Sequence, residues 1–267
     1  MKYGFVLPQG DARTAAETAA QAERAGWDAF FVWEPVWGID AWVSLTAAAM
    51  CTERIRLGTM LTPLSRMRPW KLASETATLD NLSGGRVILA VGLGALDTGF
   101  AEFGEATDRT VRAQLLDEGL AILTGLWAGQ PFSFQGTHYT VRPTEFMPPP
   151  PPVQRPRIPI WVVGAWGRQK SMARAFRYDG LLPHVTELTP ALVKQMRAAA
   201  DAARDPGARP YDIVVEDVTP GHDPAAAAAK VRPYAEAGAT WWIESPWDYG
   251  DDHDRVLERL RAGPPTT

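Results

Sequence analysis

The residues able to do chemistry stand just beyond short apolar runs. Glu34 follows the run Asp28–Trp33. A carboxylate there can act as a general base or orient a substrate, or it can accept bonds from loop N–H groups. Glu244 follows Thr240–Ile243, with Trp242 and Trp247 nearby, and His184 lies just past Gly180–Leu182. Gly164-Ala165-Trp166-Gly167 follows Ile158–Val163 and leads into a helical pattern opened by Arg168. Small residues let backbone approach a ligand, and a helix N-terminus aims free N–H groups at an anion, although the same turn also arises on structural grounds alone. Gly92-Leu93-Gly94 ends another run, and Thr62 stands before Pro63 at the end of a third. His138, His184, His222 and His253 lack ligand spacing, and HExxH, CxxC and Gly-x-Ser-x-Gly patterns are missing. Metal and covalent routes therefore find no support, and the reactive atom must come from a cofactor.

These positions matter only if a scaffold gathers them. Eight apolar, β-branched runs alternate with helical patterns: Tyr3–Leu7, Asp28–Trp33, Ile55–Thr62, Val87–Gly92, Ile158–Val163, Gly180–Leu182, Asp212–Val215 and Thr240–Ile243. Such alternation builds a parallel sheet from βα units. Asp40, Thr189 and Asp223 read as N-caps, the last two followed by Pro190 and Pro224, while Gly26 and Gly84 read as C-caps. Leu115, Gly119, Ile122 and Leu126 recur at helical spacing in the fourth helix. The pattern lapses between about 128 and 157, where Phe132–Phe134 and His138–Val141 flank Gln135-Gly136-Thr137 as a hairpin, and Pro148 to Pro152 form a stiff strap.

Eight units could also make an open doubly wound sheet. The nearest dinucleotide fingerprint, Gly92-Leu93-Gly94-Ala95-Leu96-Asp97, lacks its third glycine and falls on the fourth unit, so a (β/α)8 TIM barrel is expected. It should form one domain over residues 1–267, with the hairpin and strap inserted at about 128–157. Working residues in such barrels come from strand C-termini, which favours the positions above over equally polar ones elsewhere.

Hydrophobic residues make up 46% of the 267 and charged residues 22%, enough apolar material for a large core. The net charge of −4, without long runs of one sign, gives no support for nucleic-acid or membrane-surface binding and points to a small-molecule partner. Pro8 interrupts the N-terminal apolar run, and about 18 uninterrupted apolar residues occur nowhere, so a cytoplasmic protein is expected. Cys51 cannot form an internal disulfide and sits in an alanine-rich stretch that suits a small hydrophobe. Eleven tryptophans cluster near strand ends, either as packing or as the lining of a pocket for a planar ligand.

The run Thr52–Gly94, TERIRLGTMLTPLSRMRPWKLASETATLDNLSGGRVILAVGLG, resembles the third and fourth βα units of bacterial luciferase-like flavin oxidoreductases. The resemblance extends through AERAGWDAFFVWE, RAQLLDEGLAILTGLW and PVQRPRIPIWVVGAWG. It implies a barrel whose C-terminal mouth holds FMN or the 5-deazaflavin coenzyme F420. The Gly164–Gly167 loop would grip the cofactor phosphate with Arg168 or Arg109 assisting, Gly92 and Leu93 would lie near the ring edge, and Thr62 would meet ring heteroatoms. A bulge or non-prolyl cis peptide would back the ring at Thr59–Thr62. Related enzymes often place His directly after the acid where Pro35 stands, leaving His184 as a substitute. Some deazaflavin-dependent dehydrogenases carry an acid where Ala95 stands, which argues against their sugar-phosphate chemistry.

The resemblance implies an oxidoreductase, first a two-component monooxygenase using reduced FMN from a partner reductase and dioxygen, in a pocket lined by Trp37, Trp166 and Trp242 with Glu244. The alternatives are hydride transfer with coenzyme F420 and a non-catalytic flavin-binding barrel. A homodimer is implied as well.

Overall fold

Residues 1–144 and 150–265 are described by a computed structural model. The strands are β1 (Lys2–Leu7), β2 (Ala29–Val32), β3 (Arg56–Thr59), β4 (Thr62–Pro63), β5 (Val87–Gly92), β6 (Phe132–Gln135), β7 (Thr140–Thr144), β8 (Ile160–Ala165), β9 (Gly180–His184), β10 (Asp212–Asp217) and β11 (Trp241–Glu244). The helices are α1 (Ala12–Ala25), α2 (Ala41–Met50), α3 (Pro69–Ser83), α4 (Arg109–Ala128), α5 (Gln169–Phe176), α6 (Pro190–Ala203), α7 (Pro224–Glu236) and α8 (His253–Arg261).

Parallel pairing runs β3-β2-β1-β11-β10-β9-β8-β5, and β3 also pairs with β5 through Leu57↔Val87, which closes the ring. The result is a (β/α)8 TIM barrel with all eight sequence runs as its strands. The third run is split: the Met60–Leu61 peptide is cis, and the chain resumes as β4 beside β5 with Thr62↔Val91.

Strand alternation sorts the side chains into two layers. Phe31, Ile88, Trp161, Val214, Trp241 and Ile243 are among those filling the barrel interior. Trp161 sits 5.7 Å from Phe31 and 5.2 Å from Trp241 between ring centroids, so aromatic rings plug the barrel. Trp27, Trp42, Trp127 and Trp242 lie in the other layer, between strands and helices.

Local punctuation explains the helices. The side chains of Asp40, Thr189 and Asp223 accept from the N–H three residues on, and Gly26 and Gly84 take left-handed conformations at φ 91° and 68°. In α4 the buried seam includes Leu116, Leu120, Leu123 and Trp127 beside Gly119 and Ile122. Leu115 and Leu126 flank that seam, because apolar neighbours at both positions left its phase open to sequence reading. Cys51 is exposed at the C-cap of α2, in contrast to its expected apolar setting.

The hairpin β6–β7 follows α4 and is latched to it. The Glu118 carboxylate accepts the N–H groups of Thr137, His138 and Tyr139 at 2.7 to 2.9 Å, which holds that carboxyl below the usual range even against partial burial. Of the proline strap, Pro148 and Pro149 lie outside the described residues. The Asn81 amide donates to the Pro151 carbonyl at 3.0 Å. No described helix is long and apolar enough to cross a membrane.

Candidate active site

The strand C-termini open onto a cavity of about 1610 Å³ that reaches from Glu34 after β2 to Trp247 after β11. Its inner wall is apolar, with Met60, Leu61, Val163 and Leu182, and one flank carries Arg109, Arg168 and Lys170.

Glu34 is placed by the β2 exit, and its side chain is only 9% exposed. The Thr62 hydroxyl donates to its Oε2 at 2.8 Å, and Thr59 lies 2.9 Å behind Thr62. The Arg66 Nη2 donates to the Pro35 carbonyl at 2.5 Å and remains 3.8 Å from Glu34 Oε1, so it braces the turn more than it neutralises the acid. Burial pushes the Glu34 carboxyl up to about 7, outweighing the opposing pulls of Thr62 and Arg66. A carboxyl poised there holds or releases a proton near neutral pH.

The cationic flank contains two kinds of arginine. Arg112 and Arg174 are committed to the fold: Arg112 donates to the carbonyls of Leu93 and Gly94 at 3.2 and 3.0 Å, and Arg174 grips Asp117 at 2.8 and 2.7 Å. Arg109, Arg168 and Lys170 make no side-chain hydrogen bond or ion pair among the described residues. Beside them α5 begins after Arg168 with no side-chain cap, as α3 does after Arg68, whereas Asp or Thr side chains cap α1, α2, α4, α6, α7 and α8. Unpaired cations around an uncapped helix N-terminus fit a bound phosphate.

Of the residues singled out in the sequence, Glu34, His184, Leu93, Ala165, Trp166 and Arg109 line this cavity. Thr62 is buried with its hydroxyl turned to Glu34, while Gly92 and Gly164 are buried in β5 and β8 behind the lining. At Gly164 a Cβ would meet Leu181 Cδ1 at 2.3 Å and Met172 Sδ at 3.0 Å, so its missing side chain serves helix packing. Gly167, at φ 79°, turns the chain from β8 into α5 with open space around it.

Three expectations are corrected. Trp37 is 81% exposed and lies outside the cavity lining. Trp242 and Glu244 point away from the barrel axis, because Trp241 and Ile243 take the inward positions of β11. Glu244 is fully buried against α8, paired with Arg259 at 2.9 Å and bonded to the Thr219 N–H at 2.6 Å. The carboxylate at this side of the mouth is Glu216, on β10, which sequence reading missed; its signal is the alternation that puts Val214 inside and Glu216 on the same face. Burial pushes the Glu216 carboxyl upward, against hydrogen bonds from Trp247 and Ser245.

A family model described as luciferase-like monooxygenase matches residues 3–263. The chain belongs to that family. Its family members and relatives make it a luciferase-like oxidoreductase. It is 32% identical to an uncharacterized protein of Mycobacterium tuberculosis, with 98% of each chain covered. It is 30% identical to an F420-dependent glucose-6-phosphate dehydrogenase of Microbacterium testaceum, over 83% of this chain and 57% of the other. Among solved structures it resembles the coenzyme F420-dependent tetrahydromethanopterin reductase of Methanopyrus kandleri (TM-score 0.78, 18% identity, 98% of each chain). It also resembles the oxygenating constituent of 3,6-diketocamphane monooxygenase of Pseudomonas putida in complex with FMN (TM-score 0.76, 17% identity, 98% and 96% covered). Luciferase-like relatives thus bind F420 or FMN.

Proposed function

We propose that this luciferase-like oxidoreductase uses coenzyme F420 to move a hydride to or from a small organic substrate, with Glu34 handling the accompanying proton. The observation that carries the reading is Glu34, a carboxyl pushed up to about 7 inside the cavity. A deazaflavin held at the mouth would supply or accept the hydride. Glu34 then gives or takes the proton, its Oε2 fixed by Thr62 and its Oε1 without a hydrogen bond among the described residues. Arg109, Arg168, Lys170 and the first N–H groups of α5 hold the anionic part of the coenzyme. Three unpaired cations exceed the need of one phosphate and suit a phosphodiester with a carboxylate-bearing tail. The apolar inner wall excludes water from the reacting atoms. Ala95 offers no acid beyond β5, so the sugar-phosphate substrate of the Microbacterium relative is not part of this proposal.

That apolar wall also favours a second reading, monooxygenation with reduced FMN from a reductase and dioxygen. Titration with each coenzyme separates the two. The expected result is saturable F420 binding, bleaching of its absorbance with a substrate, and loss of turnover by about 100-fold in Glu34→Gln with coenzyme affinity retained. Tight FMN binding with oxygen uptake, and no F420 binding, would replace the first reading with the second.

A further inference from the structure

Glu216 is a second carboxylate at the mouth, and its surroundings differ from those of Glu34. No Lys, Arg or His lies within ion-pair distance of it among the described residues. The Trp247 indole donates to its Oε1 at 2.5 Å. Beyond Trp247 opens a side chamber of about 270 Å³ lined by Pro8, Gln9, Trp33, Met60 and Trp247. The chamber lining carries no charge of its own. Trp33 is fixed in place by its own indole N–H, which donates to the Pro8 carbonyl at 2.5 Å. Two held indoles, a thioether and an unpaired carboxylate therefore share one corner of the cavity.

Each component suits a positively charged nitrogen. Indole faces attract cations through their quadrupole, and that attraction grows where water is thinned. Thioether sulfur is soft and polarisable and packs well on alkyl groups. Glu216, exposed to solvent and without a resident cation, supplies a counter-charge that an incoming cation can meet. A neutral alcohol would use only one of these three features, and an anion would be repelled.

We propose that the corner formed by Glu216, Trp247 and Trp33 is a subsite for an organic cation, selecting substrates that bear an alkylammonium group. The subsite orients such a substrate so that its reacting carbon faces the part of the cavity held by Glu34; this last step alone rests on the hydride-transfer reading. The cation recognition itself needs no coenzyme.

Choline and its neutral isostere 3,3-dimethylbutan-1-ol are the probes, titrated calorimetrically into the purified full-length protein. Choline should bind at least about 10-fold more tightly than the isostere. Glu216→Gln should reduce that preference to near unity with little change in affinity for the neutral probe, and Trp247→Phe, which keeps an aromatic ring but removes the N–H, should reduce it partially. Equal binding of the two probes by the wild-type protein, or a preference that survives in folded Glu216→Gln, overturns the proposal. If Glu216→Gln does not fold, an unchanged preference in Trp247→Phe overturns it. A parallel F420 titration keeps the readings apart, since failed coenzyme binding strikes the hydride-transfer reading and leaves the cation result standing.

Discussion

At the N-terminal end of the barrel Asp179 accepts from the Ile160 N–H at 3.0 Å and pairs with Arg157 and Arg209 at 3.0 and 2.6 Å. At the C-terminal end Glu34, equally shielded, has one hydroxyl donor and an arginine 3.8 Å away. Other charges at the two ends show the contrast, with Glu244–Arg259 and Asp117–Arg174 as matched pairs on the upper side. Below, Asp28 takes the Tyr3 N–H, Asp212 takes the Trp161 indole and the Thr240 hydroxyl, and Arg86 donates to the carbonyls of Ala49, Thr52, Ile55 and Ser83. Above, among the described residues, Glu216 has no cation within ion-pair distance, and Arg109, Arg168 and Lys170 have no anion. Charges matched within the chain stitch strands together, whereas charges left unmatched are available to a proton or a ligand.

The sharpest break of this contrast is Asp179→Ala. It strands the half-buried Arg157, whose Nε already lacks a partner, leaves the Ile160 N–H unmet, and should cost about 3 kcal/mol in urea unfolding while leaving coenzyme affinity unchanged in the folded fraction. A variant that lost binding but not stability would erase the division between the rims.

Glu34→Gln should act in the opposite direction. A carboxyl raised from 4.5 to about 7 is favoured in its neutral form, so wild-type stability declines as pH rises through that window and levels off above it. The glutamine escapes this decline and should be more stable by up to about 3 kcal/mol above about pH 8, with no difference below about pH 4. Denaturant midpoints at the two pH values check it, and equal stability at high pH would mean that Glu34 is better solvated than its 9% exposure indicates.

The barrel was legible because eight β-branched runs and their caps agree with one another. The phase of each strand was harder to read. On β11 two adjacent tryptophans, Trp241 and Trp242, leave inward and outward undecided; taking Trp242 inward carries Glu244 with it and hides Glu216. Glu34 was legible by position, as the first acid past β2, although adjacent Phe30 and Phe31 leave the phase of that strand as open as that of β11. Thr62 lies behind the lining, and the direction of its hydroxyl depends on Glu34, 28 residues away in sequence.

The two glycines give the smallest effects and sharpen the boundary between wall and lining. A valine there would push into Leu181 and Met172, so Gly164→Val should cost about 1–3 kcal/mol of stability through overpacking. Gly167→Ala, strained only by its φ of 79°, should cost about 1 kcal/mol. Thermal unfolding ranks the pair, and the reverse order would mean that Leu181 and Met172 yield to an added side chain more readily than the Gly167 backbone accepts one.

The rings of Phe31, Trp161 and Trp241, tilted and edge-to-face, close the barrel beneath the cavity. A vessel with a sealed floor has one way in. Two ligands that share it both enter and leave by the mouth, so one seated against the floor is covered by one seated above it. Inhibition patterns in steady-state kinetics would register this as a compulsory order of addition, set by three aromatic side chains.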